Sequence, residues 1–348
     1  MSDGCPRCSE FAARGSTFCG ACGREIDGDV PQQRNESMYL GKILLFITAI
    51  LVLFILAIEL LALLLNLPAI FDLLAISRVS FPILIPFPTT AFTLSGIAAQ
   101  VYFVMVVVVI FACAAYAIKK FIDAARSADN IIESPDVRRT AITWVGMAIG
   151  VSLVVNFVVV MIAVISGQEI IVPDFGDKIQ QMFLLADAAF WEEIVTRVLY
   201  IGVPITIISL IMTRKKESLK CLFGGFGMST SALVFIILSG AIFGIAHFSG
   251  WDDQYWKVLA TGIMGMLMGY IFVRFGLYAT ILLHFINNYL SSFDWIGIGG
   301  VQIIVTFALL ILGLAALLYI LYKLFTSKDK IRAMPWFMNG YIEQNKNE

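Results

Sequence analysis

Two adjacent glutamates and one arginine lie inside a run of apolar residues that is long enough to cross a membrane. The stretch reads "FWEEIVTR", from Phe190 to Arg197. A charged side chain in the middle of a bilayer is costly, so such residues usually face the interior of the protein or a water-filled cavity. The three charges therefore mark a candidate functional site.

Helical spacing gives the two glutamates different partners. Glu193 and Arg197 are four residues apart, so their side chains share one face of a helix and can form an ion pair. Glu192 lies about 100° further round the helix and is left without that partner. An unpaired carboxylate can act as a general base that takes a proton from water. The alternative is that the ion pair only fixes helix packing and that Glu192 extends towards water.

The chain contains two histidines, and both lie in apolar runs. His247 follows Phe243 in "FGIAHF", whereas His284 begins "HFINN" and shares a helix face with Asn288, four residues further on. A single histidine in a span often only hydrogen-bonds a neighbouring helix. Two histidines in the same layer as an unpaired glutamate favour a catalytic group.

These three stretches resemble the motifs of the CAAX protease and bacteriocin-processing enzyme family of intramembrane glutamic proteases. Those motifs are E-E-x3-R, F-x3-H and H-x3-N on successive spans, and the resemblance covers about residues 180–292. Many members have Phe-Arg-Gly at the arginine, where this chain has Thr196-Arg197-Val198. The resemblance implies an intramembrane endopeptidase that cuts a membrane-associated substrate, with prenylated CAAX proteins as one candidate class.

The resemblance also implies a role for each motif residue. Glu192 and His247 would activate a water molecule, and His284 and Asn288 would stabilise the oxyanion that forms when water attacks a peptide carbonyl. No cofactor is expected for catalysis. Three further motif residues would support the site structurally: Glu193, Arg197 and Phe243.

Other classes of function stay open at this point. Glu192, His247 and His284 can make a two-histidine, one-carboxylate metal site, although the chain has no H-E-x2-H motif. Buried polar residues, with Glu59 in the first apolar run, can instead line the ion path of a transporter. The chain can also be a membrane receptor without catalytic activity. Cleavage of a peptide by the purified protein separates the enzyme from the last two.

The composition of the chain is that of an integral membrane protein. Of its 348 residues, 59% are hydrophobic and 14% are charged, whereas soluble domains average about 25% charged residues. Loops on one side of the predicted spans hold 20 of the 24 lysines and arginines, which places both termini in the cytoplasm. Eight apolar runs are predicted to span: Ile43–Leu67, Leu94–Ile118, Ala141–Ser166, Gln180–Thr213, Ser229–Phe248, Trp256–Val273, Leu277–Ser292 and Val301–Tyr322.

Four cysteines precede the first span in a C-x2-C, ten-residue, C-x2-C pattern. Two such pairs present four thiolates to one tetrahedral Zn²⁺, and a site closed by four cysteines is structural. The alternative of two disulfides conflicts with the predicted cytoplasmic location, which is reducing. The segment resembles the short zinc ribbons of other membrane proteins and is a candidate docking site for a cytoplasmic protein. Its predicted ligands are Cys5, Cys8, Cys19 and Cys22.

We therefore expect an all-α polytopic membrane protein with about eight transmembrane helices and a small N-terminal zinc ribbon. The expected partners are the lipid bilayer and a peptide or lipidated protein substrate, with no nucleic acid. The segment Phe81–Phe92 carries three prolines and is predicted to lie at the interface or to re-enter the membrane. The predicted divisions are a zinc ribbon (1–26), a linker (27–42), three N-terminal transmembrane helices (43–166), a five-helix catalytic core (180–322) and a cytoplasmic tail (323–348).

Overall fold

The computed structural model describes residues 36–326, except positions 86, 172, 174, 215 and 252. The chain divides into a unit of residues 1–44 and a unit of residues 45–348. In the first unit only the beginning of a helix is described, and all contacts given below lie within the second. The four cysteines of the predicted zinc ribbon lie outside the described residues.

The described elements are helices joined by short connections, with a single pair of strands near the N-terminal end. A π-helical segment (Ile194–Gly202) and a 3₁₀-helix (Lys216–Phe223) interrupt the α-helices. The strands are β1 (Arg78–Ile85) and β2 (Phe87–Ser95). The α-helices are α1 (Glu36–Ile76), α2 (Ile97–Arg126), α3 (Pro135–Arg138), α4 (Ala141–Ile165), α5 (Lys178–Glu193), α6 (Val203–Thr213), α7 (Thr230–Ser249), α8 (Tyr255–Phe275), α9 (Leu277–Tyr289), α10 (Ser292–Trp295) and α11 (Gly299–Thr326).

Seven helical stretches of the described chain are long and apolar enough to cross a membrane. Most of them are apolar on all sides, as expected for helices that contact lipid on one side and protein on the other. This confirms the predicted all-α polytopic class. The seven stretches are Leu40–Ile76, Ile97–Arg126, Ala141–Ile165, Lys178–Met212, Thr230–Phe248, Tyr255–Phe275 and Gly299–Tyr322.

The prediction of an eighth span at Leu277–Ser292 is wrong. Helix α9 has 13 residues. At about 1.5 Å per residue it is about 20 Å long, whereas the hydrocarbon core of a bilayer is about 30 Å thick. Gly276, with φ of 101°, is the one residue between α8 and α9. Because α9 contacts α2, α4, α5 and α8 and is buried along most of its length, it is an interior helix.

The proline-rich segment Phe81–Phe92 forms most of an antiparallel β-hairpin. The rings of Phe81 and Phe92 stack with their centroids 4.5 Å apart, and the pairing has an irregularity between Phe81 and Pro82. Proline has no N–H to give to a strand ladder, so it is tolerated at the edge of a sheet. The hairpin contacts α7 and the π-helical segment, and it therefore lies against the elements that carry the sequence motifs.

Helices α7 and α8 cross at very short range. A Cβ atom added at Gly244 would lie 2.5 Å from the carbonyl oxygen of Val258, and one added at Gly240 would lie 2.9 Å from the backbone nitrogen of Met266. Small residues at such a crossing allow two backbones to touch. The crossing therefore sets the position of His247, which follows Gly244 by one helical turn.

Candidate active site

The helix that carries both motif glutamates changes its winding directly after them. Residues Lys178–Glu193 are α-helical, and Ile194–Gly202 are π-helical. Pro204 follows this segment and has no N–H to donate to the carbonyl of Tyr200, which favours a departure from regular α-helical bonding. π-Helical turns within α-helices are frequent at functional sites.

Glu193 and Arg197 form the ion pair expected from their spacing. Arg197 Nε donates to Glu193 Oε2 at 3.2 Å, and both side chains are fully buried. The guanidinium also donates to Ser239 Oγ at 2.7 Å and to the sulfur of Met268 at 3.4 Å, and it lies 5.4 Å from the centre of the Phe243 ring. A buried charge is tolerated when it is paired and hydrogen-bonded, so Glu193 is held in place by the arginine.

His284 lies between the two glutamates. Its Nδ1 is 2.9 Å from Glu193 Oε1, and its Nε2 is 3.7 Å from Glu192 Oε2. Because a carboxylate accepts hydrogen bonds, the proton of Nδ1 is donated to Glu193. The Glu192 side chain retains 24% of its exposure, whereas that of Glu193 retains none. Of the two glutamates, Glu192 is thus the one that water can reach.

His247 is oriented by its own helix. Its Nδ1 is 2.8 Å from the carbonyl oxygen of Phe243, which accepts the Nδ1 proton and leaves Nε2 free as an acceptor. The Phe243 ring lies 4.6 Å from the ring of His247 and 6.0 Å from that of His284, between the two histidines. Glu192 is close enough to His247 to interact with it electrostatically.

Asn288 has a different partner from the one its helix face suggests. Its Nδ2 donates to the carbonyl of Leu185 at 3.2 Å, and Leu185 lies in the first half of α5, before the two glutamates. This contact fixes the end of α9 against the helix that carries the glutamates. An amide nitrogen has two protons, so a second N–H of Asn288 can still be donated.

Several polar residues near the site were not singled out from the sequence. Tyr102 donates to Asp187 Oδ1 at 2.5 Å, and Asp187 interacts electrostatically with Glu192. Lys257, in the first turn of α8, also interacts with Glu192. Asp187 and Lys257 were visible in the sequence as isolated charges in or beside apolar runs. Ser239 gave no such signal, because a serine in an apolar helix is common.

The residues of the alternative metal site do not converge in the described part of the chain. No group of three histidine, cysteine, aspartate or glutamate side chains there is close enough to hold a metal ion. In the proposed set of Glu192, His247 and His284, the Nδ1 atoms of both histidines are engaged in hydrogen bonds, so a metal ion there would be bound through their Nε2 atoms.

The β-hairpin closes one side of this group of residues. Trp191, which precedes Glu192, donates from Nε1 to the carbonyl of Pro82 at 2.8 Å, and the hydroxyl of Tyr200 donates to the carbonyl of Leu84. Leu84 packs with Phe243 in a small apolar cluster. The hairpin thus contacts the elements on both sides of the glutamates.

The model of one protein family matches the part of the chain that holds all the motif residues of the site. It is the family described as type II CAAX prenyl endopeptidase Rce1-like, and it matches residues 178–290, from the first residue of α5 to just beyond α9. No curated protein and no solved structure matches the chain. Residues 178–290 are thus similar to the type II CAAX prenyl endopeptidases, and this match indicates an intramembrane protease.

Proposed function

We propose that Glu192 is the general base of this protease and that the substrate is a membrane-associated protein of the prenylated CAAX type. The single observation that carries the catalytic assignment is the contrast between the two glutamates. Glu193 is fully buried and paired with Arg197, whereas Glu192 is partly exposed and lies 3.7 Å from His284 Nε2. A separation of 3.7 Å is too long for a direct hydrogen bond, but both atoms can contact one water molecule at their side.

The reaction begins with that water. Glu192, assisted by the free Nε2 of His247, takes a proton from the water as its oxygen attacks the carbonyl carbon of the peptide bond. The carbonyl oxygen becomes an oxyanion, which accepts hydrogen bonds from His284, when Nε2 of His284 carries a proton, and from the amide of Asn288. The carbon–nitrogen bond then breaks, and the proton held by Glu192 is transferred to the leaving amine.

Glu193 and Arg197 position this machinery without touching the substrate. Glu193 orients His284 through Nδ1, and Arg197 holds Glu193. A carboxylate behind an imidazole fixes which nitrogen carries the proton and stabilises the imidazolium. This arrangement supports the proposal that one glutamate takes part in the chemistry and the other positions it.

The finer features of the substrate and topology are also proposals. A prenylated CAAX-type substrate follows from the description of the matching family. The N-terminus is proposed to lie in the cytoplasm, because the loops at 119–140 and 214–228, on the same side, hold five and four lysines and arginines. Seven spans would put the C-terminus on the opposite side, which differs from the cytoplasmic C-terminus predicted with eight spans. Cys5, Cys8, Cys19 and Cys22 are proposed to bind one structural Zn²⁺ in the cytoplasm and to offer a docking site for a cytoplasmic protein.

The test is cleavage by the purified chain in nanodiscs. A fluorogenic, prenylated peptide with a free C-terminus should be cut, and its unprenylated counterpart should be cut more slowly. Glu192→Gln cannot accept the proton and should lose at least 10²-fold of kcat, as is typical for removal of a general base. The matched control is Glu169→Gln, because Glu169 is an exposed glutamate. Equal rates for wild type and Glu192→Gln would refute the assignment.

One observation favours transport as a second candidate function. Glu59 of α1 is fully buried, and neither of its carboxylate oxygens has a hydrogen-bond partner within the described residues. Buried carboxylates of this kind occur in the ion paths of transporters. The test is a measurement of internal pH in proteoliposomes that contain a pH-sensitive dye. Transport requires that the wild-type protein carries protons across the membrane and that Glu59→Gln abolishes this flux.

A further inference from the structure

A lysine that no sequence motif contains lies beside the proposed active site. Lys257 is in the first turn of α8, and its ammonium group is 3.5 Å from the centre of the Trp251 ring and 5.9 Å from that of Trp256. It interacts electrostatically with Glu192 and with His247. The ammonium group is therefore held by two indole rings at the start of α8, where the next residue, Val258, has its carbonyl oxygen 2.5 Å from a Cβ added at Gly244, one turn before His247.

The segment that carries this lysine is held firmly. Gln254 Nε2 donates to the carbonyl of Ile171 at 3.1 Å, and Gln254 Oε1 accepts from the N–H of Ile171 at 3.4 Å. The same oxygen accepts from the indole nitrogen of Trp256. The side chains of Gln254 and Trp256 are both buried. The indole rings thus form a fixed slot for the lysine, so its ammonium group is held in one place.

Within the described residues the ammonium group has no hydrogen-bonding or ion-pair partner. Its only close contacts are the two indole rings, and no carboxylate, carbonyl or hydroxyl oxygen of the described chain lies within hydrogen-bond distance. An ammonium group has three N–H donors, and a ring face satisfies its charge from one side only. A cation in a membrane-spanning segment is normally paired. The ammonium group of Lys257 therefore has N–H donors available for an anionic group of a bound ligand.

We propose that Lys257 binds the C-terminal carboxylate of the substrate and of the peptide released from it. This inference rests on the proposed function, because the C-terminal carboxylate reaches the lysine only when the substrate is bound for cleavage. Its C-terminus must then lie a few residues after the scissile bond. In an extended peptide each residue spans about 3.3 Å, so a short C-terminal peptide reaches about 10 Å from the scissile bond. A fixed cation near Glu192 then selects substrates whose chain ends a few residues after the cut.

The lysine acts as a specificity residue and not as a reacting group. A carboxylate bound equally in the ground state and in the transition state lowers KM and leaves kcat unchanged. A hydrogen bond between two charged groups is worth enough to change KM by roughly 10- to 100-fold. The effect of Lys257 is thus expected in KM, whereas the effect of Glu192 is expected in kcat.

The test compares two substrates that differ in one group. The first is a prenylated peptide with a free C-terminal carboxylate, and the second is the same peptide with a C-terminal amide. In wild type, KM for the amide should be about 10- to 100-fold higher. In Lys257→Gln, KM for the acid should rise to the value for the amide, and Lys257→Arg should restore part of the difference. Lys120→Gln is the matched control, because Lys120 lies over the ring of Tyr116 away from the site.

Two results would overturn the inference. One is a wild-type enzyme that cleaves the acid and the amide with the same KM. The other is a Lys257→Gln variant that still discriminates between them. If Lys257→Gln instead changes KM for both peptides equally, and only in nanodiscs with anionic lipid, the lysine binds a lipid phosphate and the proposal is wrong. Should Lys257→Gln not fold, Lys257→Arg and Lys257→Met are measured with the same pair of peptides.

A binding experiment separates this inference from the proposed function. The Glu192→Gln protein is titrated with an aliphatic tripeptide that ends in a carboxylate and with its amide. The acid should bind at least tenfold more tightly, and the Glu192→Gln/Lys257→Gln protein should lose that preference. If wild type cleaves nothing but the preference depends on Lys257, the proposed function fails and the carboxylate site stands. If cleavage occurs and the tripeptide acid and amide bind alike, the carboxylate site fails alone.

Discussion

Replacing Glu193 by glutamine should destabilise the protein far more than the same change at Glu192. Arg197 is fully buried, and it would keep its bonds to Ser239 and Met268. It would lose the one carboxylate that is bonded to its guanidinium among the described residues. Breaking a buried ion pair by removing one partner costs about 3–5 kcal/mol, because the other charge is left uncompensated. Since each 1.36 kcal/mol is a factor of ten, the folding equilibrium should shift by about 10²-fold or more.

The bond from His284 to Glu193 adds to this loss, although the two effects share one carboxylate and are not additive. A hydrogen bond to a charged group is worth about 1.5–3 kcal/mol. The total loss of stability in Glu193→Gln should therefore stay near the upper end of about 3–5 kcal/mol. In Glu193→Gln/Arg197→Gln the unpaired charge is gone, and part of the stability should return. Glu192→Gln changes a side chain with residual exposure and should cost less than about 1 kcal/mol.

The assay is unfolding of the purified protein in mixed micelles with increasing fractions of sodium dodecyl sulfate, followed by tryptophan fluorescence. Glu193→Gln should unfold at a clearly lower fraction than wild type, and the double variant should unfold between the two. The control is Glu169→Gln, at an exposed position. If Glu193→Gln is as stable as wild type and inactive while Glu192→Gln cleaves normally, the two carboxylates have been assigned in the wrong order.

The remaining predictions concern the elements around the site. Gly244→Ala should lower turnover, because the added Cβ would lie 2.5 Å from a carbonyl oxygen of α8 and must push α7 and His247 away. The control is Gly300→Ala, where an added Cβ has no atom within 4 Å, and its turnover should be unchanged. Trp191→Phe removes the donor to a carbonyl of β1 and should cost about 1–3 kcal/mol in the same unfolding assay. The purified chain should contain one zinc ion by metal analysis, and deleting residues 1–30 should remove the zinc while peptide cleavage persists.

Helical periodicity was sufficient to predict the ion pair at the centre of the site. Glu193 and Arg197 are four residues apart in the sequence, and their side chains meet in the structure at 3.2 Å. Periodicity did not predict that His284 also bonds to Glu193, because that contact joins helices 91 residues apart. Spacing predicts contacts within a helix, whereas contacts between helices depend on how the helices pack.

Hydropathy could not distinguish the short interior helix α9 from a membrane span. A helix surrounded by other helices needs the same apolar side chains as one surrounded by lipid, so Leu277–Ser292 matched both descriptions. Its true end follows from the breaks at Gly276 and after Tyr289. The β-hairpin was not predicted, because the three prolines of Phe81–Phe92 led to the prediction of an interfacial or re-entrant segment. Prolines are in fact tolerated at the edge of a sheet.

The way the hairpin is held has a consequence for the order in which the chain assembles during synthesis. The carbonyls of Pro82 and Leu84 are bonded by side chains that lie 109 and 116 residues later in the sequence. A ribosome releases Pro82 and Leu84 well before Trp191 and Tyr200, so the edge of β1 lacks these donors when it first leaves the ribosome. An open strand edge is excluded from the hydrocarbon of a bilayer. The hairpin must therefore wait in water or at the membrane surface until the helix bearing the two glutamates is inserted, which makes its docking a late step of biogenesis.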